Sequence, residues 1–176
     1  GFMNENKMPA GLLDDNKMVA DLNNLLKEKY NYSNLVLGGF NYEVCLNRNL
    51  IDSVKLNRND IVDDVVRFVK NIKGVDRAFP IDQLMDQPMS YKVKEMISNG
   101  WYPNRSGDVQ LVLKPGWIDG GKTGTTHGLW NPYDSHIPLV WYGWGIKQGK
   151  SNQEVYMTDI AATLAALLHI QMPSGS

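Results

Sequence analysis

The segment PGWIDGGKTGTTHG, residues 115–128, contains the residue types of two different kinds of site. Its residues 116–123, GWIDGGKT, match the phosphate-binding pattern G-x-x-x-x-G-K-[ST] at every position. His127 follows within TGTTHG, and an imidazole flanked by small residues is accessible to a metal ion or a substrate. The segment therefore predicts either a loop around a nucleotide's phosphates or a functional histidine.

The phosphate-loop hypothesis requires a helix directly after the Lys-Thr pair, because the helix N-terminus completes the anion site. A buried strand is predicted ahead of the loop at 108–113, DVQLVL. After Thr123, however, the chain continues with Gly124, Gly128 and Pro132. A glycine costs a helix interior about 1 kcal/mol and a proline about 3 kcal/mol. No useful helix can begin at Lys122, so nucleotide binding at Gly116–Thr123 is the weakest of the hypotheses.

Three histidines are present: His127, His136 and His169. His169 ends a predicted amphipathic helix, and His136 precedes a predicted strand, where it could orient a loop. His127 lies between two predicted strands, at the kind of sheet edge where open α/β sheets place their sites. Zinc requires three or four ligands, and the chain contains no H-x-x-x-H, no D-x-x-x-H and no Asp-His pair. By spacing alone, His127 is a ligand without partners.

Composition excludes several classes of function. The chain is 43% apolar and has a net charge of -1, from 18 basic and 19 acidic residues. Because no basic run occurs, we expect no binding to nucleic-acid polymers or to a membrane surface. The longest apolar run, IAATLAALL at 160–168, is far shorter than a bilayer span. Cys45 is the single cysteine, which excludes an intramolecular disulfide and a cysteine-based zinc site.

Hydrophobic periodicity and turn residues predict an alternation of helices and strands. The predicted helices are 15–29, a segment from Asp60 to just before Gly74, 90–99 and 158–170. The predicted strands are 35–37, 42–46, 50–54, 75–79, 108–113 and 138–144, with a polar turn at 47–49. The tetrapeptide LNRN occurs at 46–49 and 56–59, and its second copy is predicted to cap a helix through Asn59.

The element order predicts a mixed α/β protein with two unequal parts. Residues 1–85, with the order helix, strand, strand, helix, strand, are similar to most of a split βαββαβ lobe and are predicted to form a small α+β lobe. Residues 86–176 are predicted to contain the C-terminal strands, the histidine loop and the final helix of a larger α/β sheet.

Two segments, 121–146 (GKTGTTHGLWNPYDSHIPLVWYGWGI) and 155–173 (VYMTDIAATLAALLHIQMP), resemble the C-terminal end of the alkaline phosphatase superfamily. More narrowly, they resemble bacterial phosphate-irrepressible alkaline phosphatases and type I phosphodiesterase/nucleotide pyrophosphatases. Segments 99–117 and 45–58 are also typical of these proteins. The resemblance implies the C-terminal part of an alkaline-phosphatase-like sheet together with the small split-βαβ-like lobe.

The same resemblance implies that His127, in the T-H-G motif, is one of three protein ligands of the first zinc ion in a two-zinc site. It implies that the Thr or Ser nucleophile and the other Asp and His ligands lie in earlier segments. We therefore expect no catalytic residue in this chain, no activity from it alone and no zinc retained by it. Thr125 or Thr126 could support the His127 ring, whereas Asp134 and His136 are expected to hold the loop in shape.

As a functional prediction, the resemblance implies the C-terminal portion of a zinc-dependent phosphomonoesterase or phosphodiesterase that acts on phosphate esters through a covalent phospho-Thr or phospho-Ser intermediate. It also implies a periplasmic or secreted location. The alternative is a non-catalytic binding module derived from the superfamily. Ester preference and oligomeric state stay open.

Overall fold

The structure, a computed structural model, describes residues 2–120 and 127–173. These residues group into two compact units, of which one ends at His136 and the other begins at Ile137. The elements in chain order are α1 (Phe2–Glu5), β1 (Gly11–Leu13), α2 (Asp15–Tyr30), β2 (Val36–Phe40), β3 (Glu43–Leu46), α3 (Arg48–Ser53), α4 (Arg58–Val69), β4 (Val75–Pro80), a 3-10 helix (Ile81–Asp86), α5 (Tyr91–Gly100), β5 (Val109–Leu113), β6 (Trp117–Asp119), α6 (Pro132–Ser135) and α7 (Asp159–Leu168).

A four-stranded antiparallel sheet with the order β2-β3-β5-β4 forms the centre of the first unit. Every residue of β5, including the polar Gln110, is buried, which confirms the predicted buried strand. A second, two-stranded sheet pairs β1 with β6 in parallel. The mixed α/β class that the sequence predicted is confirmed. Because β5 pairs with β3 and β4, the sheet includes strands from both predicted parts; the division into 1–85 and 86–176 stays a prediction.

Helices α2 and α4 supply much of the core through single apolar faces. Leu22 and Leu26 of α2 and Ile61 and Val65 of α4 are fully buried. Their spacing of four residues places each pair on one side of its helix. Both helices were predicted from this periodicity, and both predictions are confirmed.

The segment around residue 50 corrects the sequence analysis. Residues 50–54 were predicted to be a strand after a polar turn at 47–49, but Arg48–Ser53 is helix α3. The side chain of Asn47 accepts a hydrogen bond from the Leu50 amide at 3.2 Å, so Asn47 caps a helix instead of forming a turn. The hairpin turn lies earlier, at Asn41 and Tyr42, whose φ values of 50° and 62° suit a tight two-residue turn.

The two LNRN copies have the same local role. Asn57 of the second copy accepts from the Asn59 amide at 3.0 Å and caps α4, so the predicted cap at Asn59 is wrong by two residues. The arginine that follows each cap, Arg48 or Arg58, binds the same oxygen of Asp108, Arg48 at 2.9 Å. The side chain of Asp108 is only 2% exposed.

The unit from Ile137 onward contains helix α7, which confirms the predicted final helix within two residues at each end. The predicted strand at 138–144 is wrong, since no strand occurs in 137–173. Tyr142 and Trp144 are 99% and 94% exposed. A strand is stable only when its backbone forms hydrogen bonds with an adjacent strand. An apolar sequence such as 138–144 does not by itself provide that adjacent strand.

Across the two described ranges, no helix combines the length and the apolar character that crossing a membrane would require.

Candidate functional site

His127 begins the described segment that carries the candidate site. Its side chain is 94% exposed, so the imidazole is accessible from outside the unit. The Nδ1 atom lies 3.7 Å from Oδ1 of Asp134, whose side chain is only 16% exposed. That separation is longer than a hydrogen bond, and an ion pair forms across it only when the imidazole is protonated. Spacing alone left His127 without a partner, and the structure places a carboxylate beside it.

Asp134 also holds the backbone that carries His127. Its second oxygen, Oδ2, accepts a hydrogen bond from the Leu129 amide at 2.8 Å. Leu129 is 6% exposed and belongs to the main apolar core. His136 ends α6 by donating its backbone N–H to the Pro132 carbonyl at 3.0 Å. Both residues shape this segment, as expected from the sequence, and Asp134 additionally approaches the imidazole.

An aromatic contact supports the segment that begins at His127. The Tyr42 ring meets the Trp130 ring edge-on, with centroids 6.0 Å apart and planes at 67°. The Tyr42 hydroxyl donates to Oδ1 of Asp119 at 2.9 Å. Burial of the phenol raises the pKa of Tyr42, and the bond to Asp119 raises it further, so the hydroxyl stays protonated and remains a donor.

The sequence analysis did not predict the contact of Tyr42 with Trp130 or its hydrogen bond to Asp119. Asp119 ends β6 and falls at a wildcard position of the phosphate-loop pattern, while Tyr42 lies in a distant hairpin turn. Only the fold brings these side chains together, since 77 residues separate them. A second hydrogen bond connects the start of the matched pattern with α6: the Gly116 amide donates to the Tyr133 hydroxyl at 3.0 Å.

The described part of the phosphate-loop match does not have the conformation of such a loop. Residues Trp117–Asp119 form β6 and pair with β1, whereas a phosphate loop would curl these positions around an anion. Lys122 and Thr123 lie outside the described residues, as do Thr125 and Thr126, the candidates for supporting the His127 ring.

The segment fits one part of a zinc site. A zinc-binding histidine commonly points its second ring nitrogen at a carboxylate, and Asp134 is placed to serve His127 in this way. Nearby, the buried Nδ2 of Asn131 has no hydrogen-bond partner, which is unusual for a buried donor. Residues 2–120 and 127–173 contain no cluster of three or more His, Cys, Asp or Glu that could hold a metal ion. The described residues therefore provide one zinc ligand, His127, and the Asp134 carboxylate that supports it.

Comparison with known proteins gives no matching family model. The chain is nevertheless 42% identical over 134 residues to alkaline phosphatase PafA of Elizabethkingia meningoseptica, covering 76% of this chain and 24% of that protein. It is 42% identical over 133 residues to alkaline phosphatase PhoV of Synechococcus elongatus, again covering 76% and 24%. A third relative, named calcium-transporting ATPase, from Myroides odoratus, is 38% identical over 135 residues, with 76% and 25% covered.

The fold agrees with the sequence comparison. The crystal structure of wild-type PafA matches 99% of this chain and 33% of that chain, with a TM-score of 0.89 and 41% identity. A substituted form of PafA matches with a TM-score of 0.86. The chain therefore belongs to the alkaline phosphatase superfamily, as its motifs predicted. It spans about a quarter of the length of the curated relatives that it matches.

Proposed function

We propose that the chain is the C-terminal portion of a zinc-dependent phosphomonoesterase or phosphodiesterase and that His127 is its contribution to the metal site. The observation that carries this proposal is the exposed imidazole held beside Asp134 on an anchored segment. The relationship to PafA and PhoV, both named alkaline phosphatases, supports the phosphoryl chemistry.

Within this proposal, His127 acts as a neutral imidazole ligand. Asp134 lies at the Nδ1 side and favours the tautomer protonated at that nitrogen, which leaves Nε2 free of a proton for the metal. The Leu129 amide holds the Asp134 carboxylate, and Leu129 itself is anchored in the core. A pair of zinc ions, when bound, activates the nucleophile and stabilises the leaving oxygen of an in-line displacement.

The nucleophile of the proposed reaction comes from a part of the longer protein that this chain does not contain. That residue is a Thr or Ser, and it carries the phosphoryl group covalently before hydrolysis. The chain by itself is accordingly inactive and holds zinc weakly. Phosphate esters are the proposed substrates, and the proposed location is the periplasm or outside the cell.

A chimera tests the proposal. The matching segment of PafA is replaced by this chain, and hydrolysis of p-nitrophenyl phosphate and bound zinc are measured. We expect the chimera to hydrolyse the ester and His127→Ala to lower both bound zinc and kcat/KM. The expected loss is at least about a hundredfold, because losing even the outer partners of a zinc ligand costs 10- to 100-fold.

His136→Ala is the matched control, since His136 is also exposed and lies in the same segment but has only a backbone role. It should change kcat/KM less than about twofold. Zinc retention and full activity in the His127→Ala chimera would refute the ligand assignment. Ordinary enzyme turnover by the isolated chain would refute the proposal that it is an inactive portion of a longer enzyme. A chimera that binds zinc and hydrolyses neither monoester nor diester would favour the non-catalytic binding module.

A further inference from the structure

A side chain binds the outer edge of the four-stranded sheet at β2. In the described part of the chain, β2 is an outer strand of that sheet, so one side of its backbone faces no neighbouring strand. Asn23 of α2 binds this backbone: its Nδ2 donates to the Val36 carbonyl at 2.9 Å, and its Oδ1 accepts from the Val36 amide at 3.0 Å. The Asn23 amide therefore makes the two bonds that a further strand would make with Val36.

The register of the β2–β3 hairpin shows that these bonds lie on the outer side of β2. Val36 is opposite Leu46, and the Asn47 amide donates to the Leu35 carbonyl at 2.8 Å. In an antiparallel pair, bonds from the flanking residues identify the two opposite residues as a pair without direct hydrogen bonds. The N–H and C=O of Val36 consequently point away from β3, where Asn23 binds them.

Gly39 turns its backbone to the same outer side. It is opposite Val44, whose carbonyl accepts from the Asp108 amide at 2.8 Å on the side of β5. Because Val44 directs its backbone groups to β5, Gly39 directs its own away from β3. Leu37 and Phe40, also in β2, are 65% and 71% exposed. The outer side of Val36–Phe40, which we call the β2 edge, thus combines outward backbone groups with exposed apolar side chains.

The other outer strand, β4, carries protection that β2 lacks. Its sequence VDRAFP includes the ion pair of Asp76 with Arg77 and ends in Pro80, which has no N–H to donate. Charges and prolines at an outer strand discourage pairing with another chain. The sequence of β2, VLGGF, contains neither, although its register shifts at Leu37. Protection of the β2 edge therefore depends on Asn23.

We propose that Asn23 keeps the β2 edge from pairing with the β2 edge of a second copy of this chain. A second copy offers the same outward backbone groups and the same apolar side chains, and β2 has no charge that would repel it. Two identical edges can pair antiparallel about a two-fold axis, which makes the contact self-complementary. This inference concerns the sheet edge and is independent of the proposed metal site.

Sedimentation velocity over a range of chain concentrations tests the proposal. Asn23→Ala releases both backbone groups of Val36, so we expect the association constant to rise about tenfold or more above that of wild type, as two backbone hydrogen bonds become available to a partner strand. Asn23→Leu, which keeps a similar shape and a high helix propensity, carries the same expectation and is measured alongside. Circular dichroism shows which variants are folded before association is compared.

Asn47→Ala is the matched control. The Asn47 side chain also bonds two backbone groups, accepting from the Leu50 amide at 3.2 Å and donating to the Asn34 carbonyl at 3.1 Å. These bonds cap α3 and do not involve the backbone of β2, so the association constant should stay within about twofold of wild type. An equal rise in the Asn23 and Asn47 variants would assign association to lost stability and overturn the proposal.

A charge at the edge tests where the copies meet. Leu37→Lys places a like charge on both edges, and replacing this exposed side chain leaves the core intact. Combined with Asn23→Ala, it should return the association constant to the wild-type value. In Asn23→Ala alone, hydrogen exchange of the Val36 amide should be fast at low concentration and slow at high concentration. Unchanged association of the double variant, or a Val36 amide that stays unprotected at high concentration, would refute pairing through β2.

Discussion

Asp134 shows how a single residue can serve both the backbone and the reacting group. Its Oδ2 fixes the segment through Leu129, and its Oδ1 lies 3.7 Å from Nδ1 of the His127 ring. Asp108 does the same for structure alone: one oxygen binds Arg48 and Arg58, and the other accepts from the Leu46 amide at 2.8 Å. In both cases, each oxygen of one carboxylate has a separate task.

The prediction for Asp134 separates these tasks. In the PafA chimera, Asp134→Asn can keep an oxygen for the Leu129 amide but loses the negative charge beside His127. We expect zinc affinity to fall about 10-fold or more, measured by competition with a chelator. Asp86→Asn, an exposed residue of the 3-10 helix, should leave the affinity unchanged. A zinc affinity of Asp134→Asn equal to that of the control would show that Asp134 supports only the backbone.

Asp108→Asn should destabilise the fold by about 3 kcal/mol, because it leaves two guanidinium groups without the buried charge that they share. Urea unfolding followed by circular dichroism measures this change. Asp76→Asn is the control, since the Asp76–Arg77 pair is exposed and should contribute under about 1 kcal/mol. Similar midpoints for the two variants would contradict a structural role for the buried charge.

At the scale of elements, the helices and strands that were predicted correctly are those whose own residue pattern identifies them. Helices α2 and α4 carry full apolar stripes, and four of the five residues of β5 are apolar, so the sequence pattern was sufficient. Helix α3 is only six residues long, too short to show a period, and its cap at Asn47 looked like a turn. The aromatic contact that supports the His127 segment could not be predicted either, because Tyr42 is distant in the chain from Trp130.

Helices α2 and α4 are joined by a polar contact that should make stability depend on pH. Asp64 of α4 accepts from the Lys29 amine at 2.6 Å and from the Tyr30 hydroxyl at 2.7 Å, both on α2. Burial alone would raise the pKa of Asp64, but these two donors outweigh it and lower the pKa below 3.8.

Because the pKa of Asp64 is lower in the folded state, its stabilising contribution is complete above about pH 3.8 and is lost as pH falls through the folded value. Urea midpoints of wild type should therefore fall more steeply below pH 4 than those of Asp64→Asn. Asp63→Asn, at the exposed neighbouring position, should follow the wild type. Parallel pH profiles for wild type and Asp64→Asn would refute the link.

At the scale of the whole molecule, the two units differ in how they use apolar side chains. The first unit has two buried apolar clusters, whereas Ala165 is the one residue of 137–173 that is classed as buried among those described. Tyr142, Trp144 and Val140 are 99%, 94% and 79% exposed. Sequence alone predicted these residues as a strand because their composition is apolar, but burial depends on partners that composition does not specify.

This difference predicts opposite outcomes for two tryptophans. Trp144→Ser should leave the free energy of unfolding within about 0.5 kcal/mol of wild type, because an exposed side chain loses no contacts on truncation. Trp130→Ser should destabilise the fold by roughly 3 kcal/mol, because Trp130 packs against both clusters. Equilibrium urea unfolding measures both, and a larger loss from Trp144→Ser would show that residues 137–173 stabilise the fold through that ring.

The contact between the two LNRN copies and Asp108 also links segments that are far apart in the chain. Arg48 and Arg58 lie 60 and 50 residues before Asp108, and each follows the cap of its own helix. The central strand β5 begins right after Asp108, so this one carboxylate connects the starts of two helices to the start of a strand. Fraying at either cap should therefore also loosen a strand that neither helix precedes directly in the chain.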